Sequence, residues 1–415
     1  MRLNDEERAL LAGAQGPARK WAIEHQIAVG DFFDAADFVP VAQAHIMADT
    51  ESLGESGVAW LEGLAALPQP DRRVRIPTIT DPRGLDLDSY KRLNQTDAMA
   101  DLETRATRAF EALGVLMTNT CINYQTVLPP TRGEHLAMGD TGVVIYSNSV
   151  AGARSNFEGG PSALAAALTG RTPRYGFHLD AQRAGTRLFE VTHAPCDLAD
   201  WGALGGIVGR ATNSYWEVPV VAGLDRMPGS DELKHFGAAL ASYGSVAMFH
   251  MPGATPEAPT LADAFHGRAL PRAEKIGAAE IAEFYRGYAA SGDKVDVVVF
   301  AAPQLSLIEM EQVANLIDGR RIDPTTTLIV ATSNEIKFAA DRMGLTARIE
   351  AAGGIVAAGI CFYQSYAREM AEANGWRRLL TNSAKLVNII GGYGYKPTLA
   401  SMEACIDSAV AGRIV

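Results

Sequence analysis

The sequence predicts a multi-domain α/β protein whose C-terminal part is a doubly wound, mainly parallel sheet. Three observations carry this expectation. The chain has 415 residues, more than one hydrophobic core ordinarily organises. It is 47% hydrophobic and 20% charged, the balance of a globular protein. Its last third alternates apolar, β-branched runs with helical patterns, the order that βαβ units impose.

Along the chain, the first element is a helix. Asn4 can cap it, and Glu7 stands three residues on, the spacing of a capping box. Leu10, Leu11 and Ala14 follow on one face. The prolines of LPQPDRRVRIPTITDPRG, near residues 67–84, break helical patterning and predict a loop attached to a strand. GVVIYSNSVAGARSN (142–156) predicts a strand and a turn. VPVVAGL (218–224) and SVAMFHM (245–251) predict buried strands, and WGALGGIVGRAT (201–212) is glycine-rich. In the last third, VDVVVFAA (295–302), TTLIVATS (326–333), IVAAGIC (355–361) and RRLLTNSA (377–384) begin 22–31 residues apart, close to the ~30 of a βαβ unit. The expected division is an N-terminal α/β region at 1–150, a middle α/β region at 151–285 and a C-terminal parallel α/β domain at 286–415.

A net charge of −11 without a Lys/Arg run argues against a nucleic-acid surface. No apolar stretch is long enough for a membrane span, and the N-terminus is polar, so a cytoplasmic protein is expected. Cys121, Cys196, Cys361 and Cys405 are dispersed and form no CxxC. Taken singly, each reads as a buried small hydrophobe rather than half of a disulfide.

Ligands of open α/β sheets bind beyond the carboxyl ends of the strands. In the C-terminal repeats that edge receives Gln304 and Ser306, then Ser333 and Asn334, then Cys361, then Thr381, Asn382, Ser383 and Lys385. Ser306, Ser333 and Ser383 also suit helix N-caps. Cysteine does not cap, and a thiolate at a helix N-terminus suits a metal ligand or nucleophile. The sequence has no GxGxxG after a strand, no GxxxxGK[ST], no HExxH and no GxSxG. This disfavours dinucleotide enzymes, nucleotide hydrolases, zincins and serine hydrolases. A metal or cluster in the crevice is the natural candidate.

Several strings, in order, resemble the aconitase X family, dehydratases related to aconitase. They are LNDEERALLAGAQGPARKWA with its Gly-x-x-Gly ending, AQAHI (42–46), RIPTIT (75–80), GVLMTNTCINYQT (114–126), YSNSVAGARSN (146–156), PRYGFHLDAQR (173–183), WGALGGIVG, TNSAK (381–385) and EACIDSAVAGRIV (403–415). The resemblance spans nearly the whole chain and implies a multi-domain aconitase-like fold. It also implies a hydro-lyase in which an iron–sulfur cluster polarises a leaving hydroxyl while a base removes the proton alpha to a carboxylate. Cys121 and Cys361 would be cluster ligands. Asn148, Ser149, Arg154 and Asn156 would line the substrate pocket with Ser306, Ser333 and Asn382, and Ser383 and Lys385 would act in catalysis. Arg154 suits a carboxylate clamp, although an arginine of this kind also serves in surface ion pairs. His45 and His178 suit hydrogen-bonded core residues better than ligands.

One segment departs from the family. Where relatives place Gly-Cys-Pro-His-x-Ser, this chain reads Ala301-Ala302-Pro303-Gln304-Leu305-Ser306. Two cysteines suit a cluster with an open iron badly. The expected cofactor is an iron–sulfur cluster or a mononuclear iron, with a cluster-free or non-catalytic relative as the alternative. The resemblance further implies a separate small swivelling subunit that closes over the crevice and supplies the base, a serine. Two substrates are implied: cis-3-hydroxy-L-proline, favoured by the absence of a basic cluster beyond Arg154 and Lys385, and mevalonate 5-phosphate.

Overall fold

The computed structural model describes residues 1–69, 71–290 and 292–415. The N-terminal strands are β1 (Phe38–Pro40), β2 (Ala44–Ile46), β3 (Thr78–Thr80), β4 (Ala137–Met138) and β5 (Arg171–Pro173). β3, β2 and β4 form a parallel sheet, while β1 and β5 pair antiparallel. The middle part contributes β6 (Arg187–Val191), β7 (Pro219–Ala222) and β8 (Ala273–Ile276), parallel in the order β7-β6-β8. The C-terminal strands are β9 (Val297–Leu305), β10 (Thr327–Thr332), β11 (Ile355–Ala358), β12 (Arg378–Thr381) and β13 (Lys396–Leu399). They form a parallel sheet in the order β11-β10-β9-β12-β13. The order reverses at β9, so the sheet is doubly wound as expected, with β13 added. Lys396, Pro397 and Thr398 give that strand no apolar run to read.

Alternation along β9 sends its residues to two cores. Val297, Val299 and Ala301 join Cys361 and Leu386 on one face, whereas Val298 and Phe300 join Cys405 and Ile406 on the other.

The N-terminal helix, Asp5–Leu11, carries the expected capping box between Asn4 and Glu7. The segment read as a strand at 142–156 is instead a helix, Thr141–Ser149. Asp140 starts it by accepting from the Val143 N–H at 2.9 Å. Nearly every residue of that helix is buried, so its apolar run has no polar face to show a helical period. The 245–251 segment forms no strand; among the described residues it joins the middle sheet through a Val220–His250 bridge. The glycines of 201–212 serve close packing of the Leu198–Thr212 and Ser230–Gly244 helices. A Cβ on Gly205 would lie 2.2 Å from the Phe236 carbonyl oxygen, and one on Gly202 would lie 2.9 Å from the Ala384 Cβ. Gly202 therefore lets this helix pair press directly behind Ser383 and Lys385. Among the described residues, no helix is long and apolar enough to cross a membrane.

Candidate active site

The carboxyl ends of two parallel sheets meet at one buried place. The N-terminal sheet delivers His45 from β2, Asp81 just after β3 and Asp140 two residues after β4. The C-terminal sheet delivers Gln304 from β9, Cys361 after β11, and Ser383 and Lys385 after β12. Cys121 enters on the loop whose Leu116 bridges to Ile79 of β3. Contacts cross between the two sheets: Gln364 donates to Asp81 at 3.0 Å, and Lys385 Nζ lies 3.5 Å from Asp140.

Gln304 is the hub. Its Nε2 donates to the carbonyls of Asn119, Thr332 and Ile360 at 3.0, 3.2 and 3.1 Å. Its Oε1 accepts from the Cys121 N–H at 3.3 Å, and its own N–H points at Cys121 Sγ at 3.5 Å. One carboxamide thus fastens both cysteine-bearing loops to the β10 end.

The electrostatics follow from burial. The Cys121 and Cys361 thiols lie close enough to act on each other. The influence of Cys361, helped by Lys385 and the Gln304 N–H, draws Cys121 below the usual thiol range. Burial, and then the influence of Cys121, pushes Cys361 well up. Burial, and then Asp140, hold the Asp81 carboxyl far above the usual carboxylate range. Burial opposes the Lys385 charge, but Asp140 and the thiols outweigh it and keep the ammonium protonated. Burial lowers His45. Its Nε2 bonds the Thr120 carbonyl at 2.7 Å and its Nδ1 has no partner. The 3.6 Å approach of His45 to Asp81 is consequently not an ion pair, because burial favours the neutral form of both. Asp81 Oδ1 and both carboxamide ends of Asn123 are also buried without partners. Such orphaned polar atoms mark where a polar ligand can be received.

Of the residues expected from the sequence, Cys121, Cys361, Ser383 and Lys385 come together here, and Asn382 is buried at the same edge. The Ser383 hydroxyl donates to the Ala302 carbonyl and accepts from the Leu386 N–H. Ser306 and Ser333 cap helices, and Ser306 also donates to Asp231 at 2.7 Å. Asn148 bonds Ser155, Ala247 and Arg183. Ser149 accepts from the Phe249 N–H. Asn156 bonds Tyr175 and Phe177. Arg154 pairs with the exposed Asp180 and reaches the His178 carbonyl. His178 is buried against His135, Nδ1 to Nδ1 at 2.9 Å, and burial holds it down at about 3.

Cys196 is exposed, against expectation, because it lies on the loop preceding the Leu198–Thr212 helix. Cys361 precedes a three-residue 3₁₀ turn rather than an α-helix. Sequence reading missed Asp81, Asp140 and Asn123. Asp81 and Asp140 each follow a short β-strand by one or two residues, a position shared by many loop carboxylates.

The donor set does not fit a cluster held by three thiolates. The position at which the resemblance implies a third cysteine is Ala302, and a methyl group cannot bind iron. Among the described residues, no three His, Cys, Asp or Glu side chains converge as a metal-ligand set.

Comparison with known proteins places this geometry. The aconitase X first, second and third domains match residues 1–181, 185–286 and 295–411. The chain is 33% identical to the phosphomevalonate dehydratase large subunit of Methanothermobacter thermautotrophicus, over 98% of this chain and 96% of that one. It is 32% identical to the cis-3-hydroxy-L-proline dehydratase of Pseudomonas aeruginosa, over 99% of this chain and 70% of that one. The crystal structure of Thermococcus kodakaraensis aconitase X in its holo-form matches with a TM-score of 0.86 at 28% identity, covering 99% of this chain and all of that one. With all three domains matched in order and a third of its residues shared with a full-length relative, the chain belongs to the aconitase X family.

Proposed function

We propose that this protein is a hydro-lyase that removes water from a small hydroxylated amino acid of the cis-3-hydroxy-L-proline type. The observation that supports this reading is one buried ammonium, Lys385, facing two buried carboxyl groups, Asp140 and Asp81. A zwitterion matches that arrangement: Lys385 takes its carboxylate, and Asp140 Oδ2 takes its amine. A substrate carrying both a carboxylate and a phosphate would bring more negative charge than one ammonium offsets.

The chemistry assigned to the chain's own residues is acid catalysis. Burial keeps a proton on Asp81, and its Oδ1 is free to receive the leaving hydroxyl. As the Cα–H bond breaks and its electrons form the double bond, the C–O bond breaks and Asp81 delivers its proton to the departing oxygen. Lys385 then stabilises the Asp81 carboxylate that remains, and solvent returns the proton. The base that takes the Cα proton is assigned to a serine of a small subunit, a partner suggested by relatives named as large subunits. Ser383 positions the loop by anchoring Ala302. The division at 1–150, 151–285 and 286–415 and a cytoplasmic location belong to the same proposal.

The test is proton NMR of the chain purified with its small subunit, given cis-3-hydroxy-L-proline and mevalonate 5-phosphate separately. Dehydration of the amino acid, lost in K385M, supports the reading. Dehydration of mevalonate 5-phosphate alone reverses the substrate choice, and no turnover of either leaves binding of a small acid as the second reading.

A further inference from the structure

We infer that this chain has replaced the iron–sulfur cluster site with a metal-free knot built on Gln304. The inference concerns the pocket of the proposed dehydratase, but iron analysis decides it whatever the substrate is.

The argument begins with donor count. A cluster with one open iron needs three protein thiolates, and the strand-end position that could supply the third is Ala302. The chain's other thiols cannot move in. Cys405 lies across the sheet, packed with Val298 and Phe300, whereas Cys361 packs with Val297 and Val299. Cys196 is exposed on a different loop, held by its N–H to Asp200 at 2.9 Å. His45 offers only its Nδ1, since its Nε2 is tied to the Thr120 carbonyl, and among the described residues it belongs to no converging set of three ligands.

The second argument is what holds Cys121. Its N–H donates to Gln304 Oε1 at 3.3 Å and its Sγ accepts from the Gln304 N–H at 3.5 Å, so the loop that carries this thiol is fastened to the end of β9 by a side chain that brings no thiolate.

The third argument is energetic. The Gln304 carboxamide satisfies three buried carbonyls and one buried N–H, drawn from the loops that carry Cys121 and Cys361 and from the end of β10. Spreading those loops around a cluster would strip these groups of partners in a water-poor interior. Without a third thiolate, fewer metal–ligand bonds are there to compensate. Ala302 already has a Cβ at φ 57° and is fully buried, so a cysteine there asks for no backbone conformation the chain does not already hold.

The experiment uses the full chain, purified anaerobically with its small subunit and reconstituted with ferrous iron and sulfide. Iron, acid-labile sulfide and visible absorbance are read for wild type, A302C/Q304H and C121S. Thermal melts confirm that each variant is folded. The expected result is little iron or sulfide in wild type and about tenfold more in A302C/Q304H, as the missing ligand is restored. Near-stoichiometric iron in wild type, with or without sulfide, lost in C121S, would overturn the inference. So would a folded A302C/Q304H protein that stays iron-free, since the deficit would then not lie at these two positions.

Discussion

Lys385 Nζ stands 3.5 Å from Asp140 Oδ2, and each side chain is only 5% exposed. An ammonium so deeply buried, with one carboxylate beside it and no closer acceptor among the described residues, is a cation held ready for an anionic guest. Lys385→Met removes the charge while keeping the stem. Where Lys385 meets the substrate carboxylate and the Asp81 carboxylate that forms later, kcat/KM should fall by about 10²–10³-fold, the scale of losing a preorganised electrostatic donor. Steady-state kinetics on the purified complex check this, and an unchanged kcat would remove Lys385 from the chemistry. Lys385→Arg should not rescue, because a planar fork does not replace a compact point charge in a closed pocket.

Gln304 should matter to stability even where activity is not measured. Gln304→Leu keeps the apolar bulk but leaves the carbonyls of Asn119, Thr332 and Ile360 without the donor they share. Buried acceptors without partners cost about 1–3 kcal/mol in such cases. Urea titration should give an unfolding free energy lower by that amount, seen as a lower midpoint at unchanged slope. A midpoint equal to wild type would mean that other donors reach those carbonyls.

How far the sequence could be read depended on where each signal came from. The parallel C-terminal sheet was legible because Val297–Phe300 and Leu328–Val330 are apolar runs bounded by turns, which buried parallel strands require. The delivery of Cys361, Ser383 and Lys385 to one edge then followed from strand direction alone. The Thr141–Ser149 helix was not legible, because burial on all sides erased its period. The capping roles of Ser306, Ser333 and Ser383 were foreseen as an option, and all three residues do cap. Asp81 and Asp140 were illegible for a different reason. They belong to the N-terminal sheet, and only the tertiary meeting of two sheets places them beside Cys121 and Lys385. Asn148 and Asn156 sit within the most family-like string, yet their amides tie backbone segments together, a role that sequence similarity alone does not distinguish from ligand binding.

A second buried charge site makes a sharper stability prediction. Lys234 pairs with Glu309 and lies 3.2 Å from both Asp231 and the Gln304 carbonyl, while His235 bonds the other Glu309 oxygen at 2.7 Å. Although burial opposes it, Lys234 and His235 hold the Glu309 carboxyl down at about 2. Lys234→Met strands that carboxylate, and breaking a buried pair from one side costs about 3–5 kcal/mol. Adding Glu309→Leu should recover part of the loss, because the stranded charge leaves with it. A double-mutant cycle from denaturant unfolding reads the recovery, and strict additivity would show that the two residues do not act as a pair.

Glu158 sets a pH dependence that can be isolated. Its carboxyl is buried with Thr172 as its hydrogen-bond donor at 2.7 Å, and burial pushes it from 4.5 up to about 7. Below pH 4.5 the group is protonated in both folded and unfolded chains and costs nothing. Between 4.5 and 7 the unfolded chain ionises it while the folded chain keeps the proton, so stability falls as pH rises. The slope is about 1.4 kcal/mol per pH unit, or about 3 kcal/mol across the window, and it flattens above pH 7. Glu158→Gln has no proton to lose and should lack this component. Subtracting the pH profiles of unfolding free energy for the two proteins should therefore give a difference that grows from pH 4.5 to 7 in favour of the variant. A flat difference would mean that Glu158 ionises in the folded chain as readily as in the unfolded one, and that water reaches it behind Thr172.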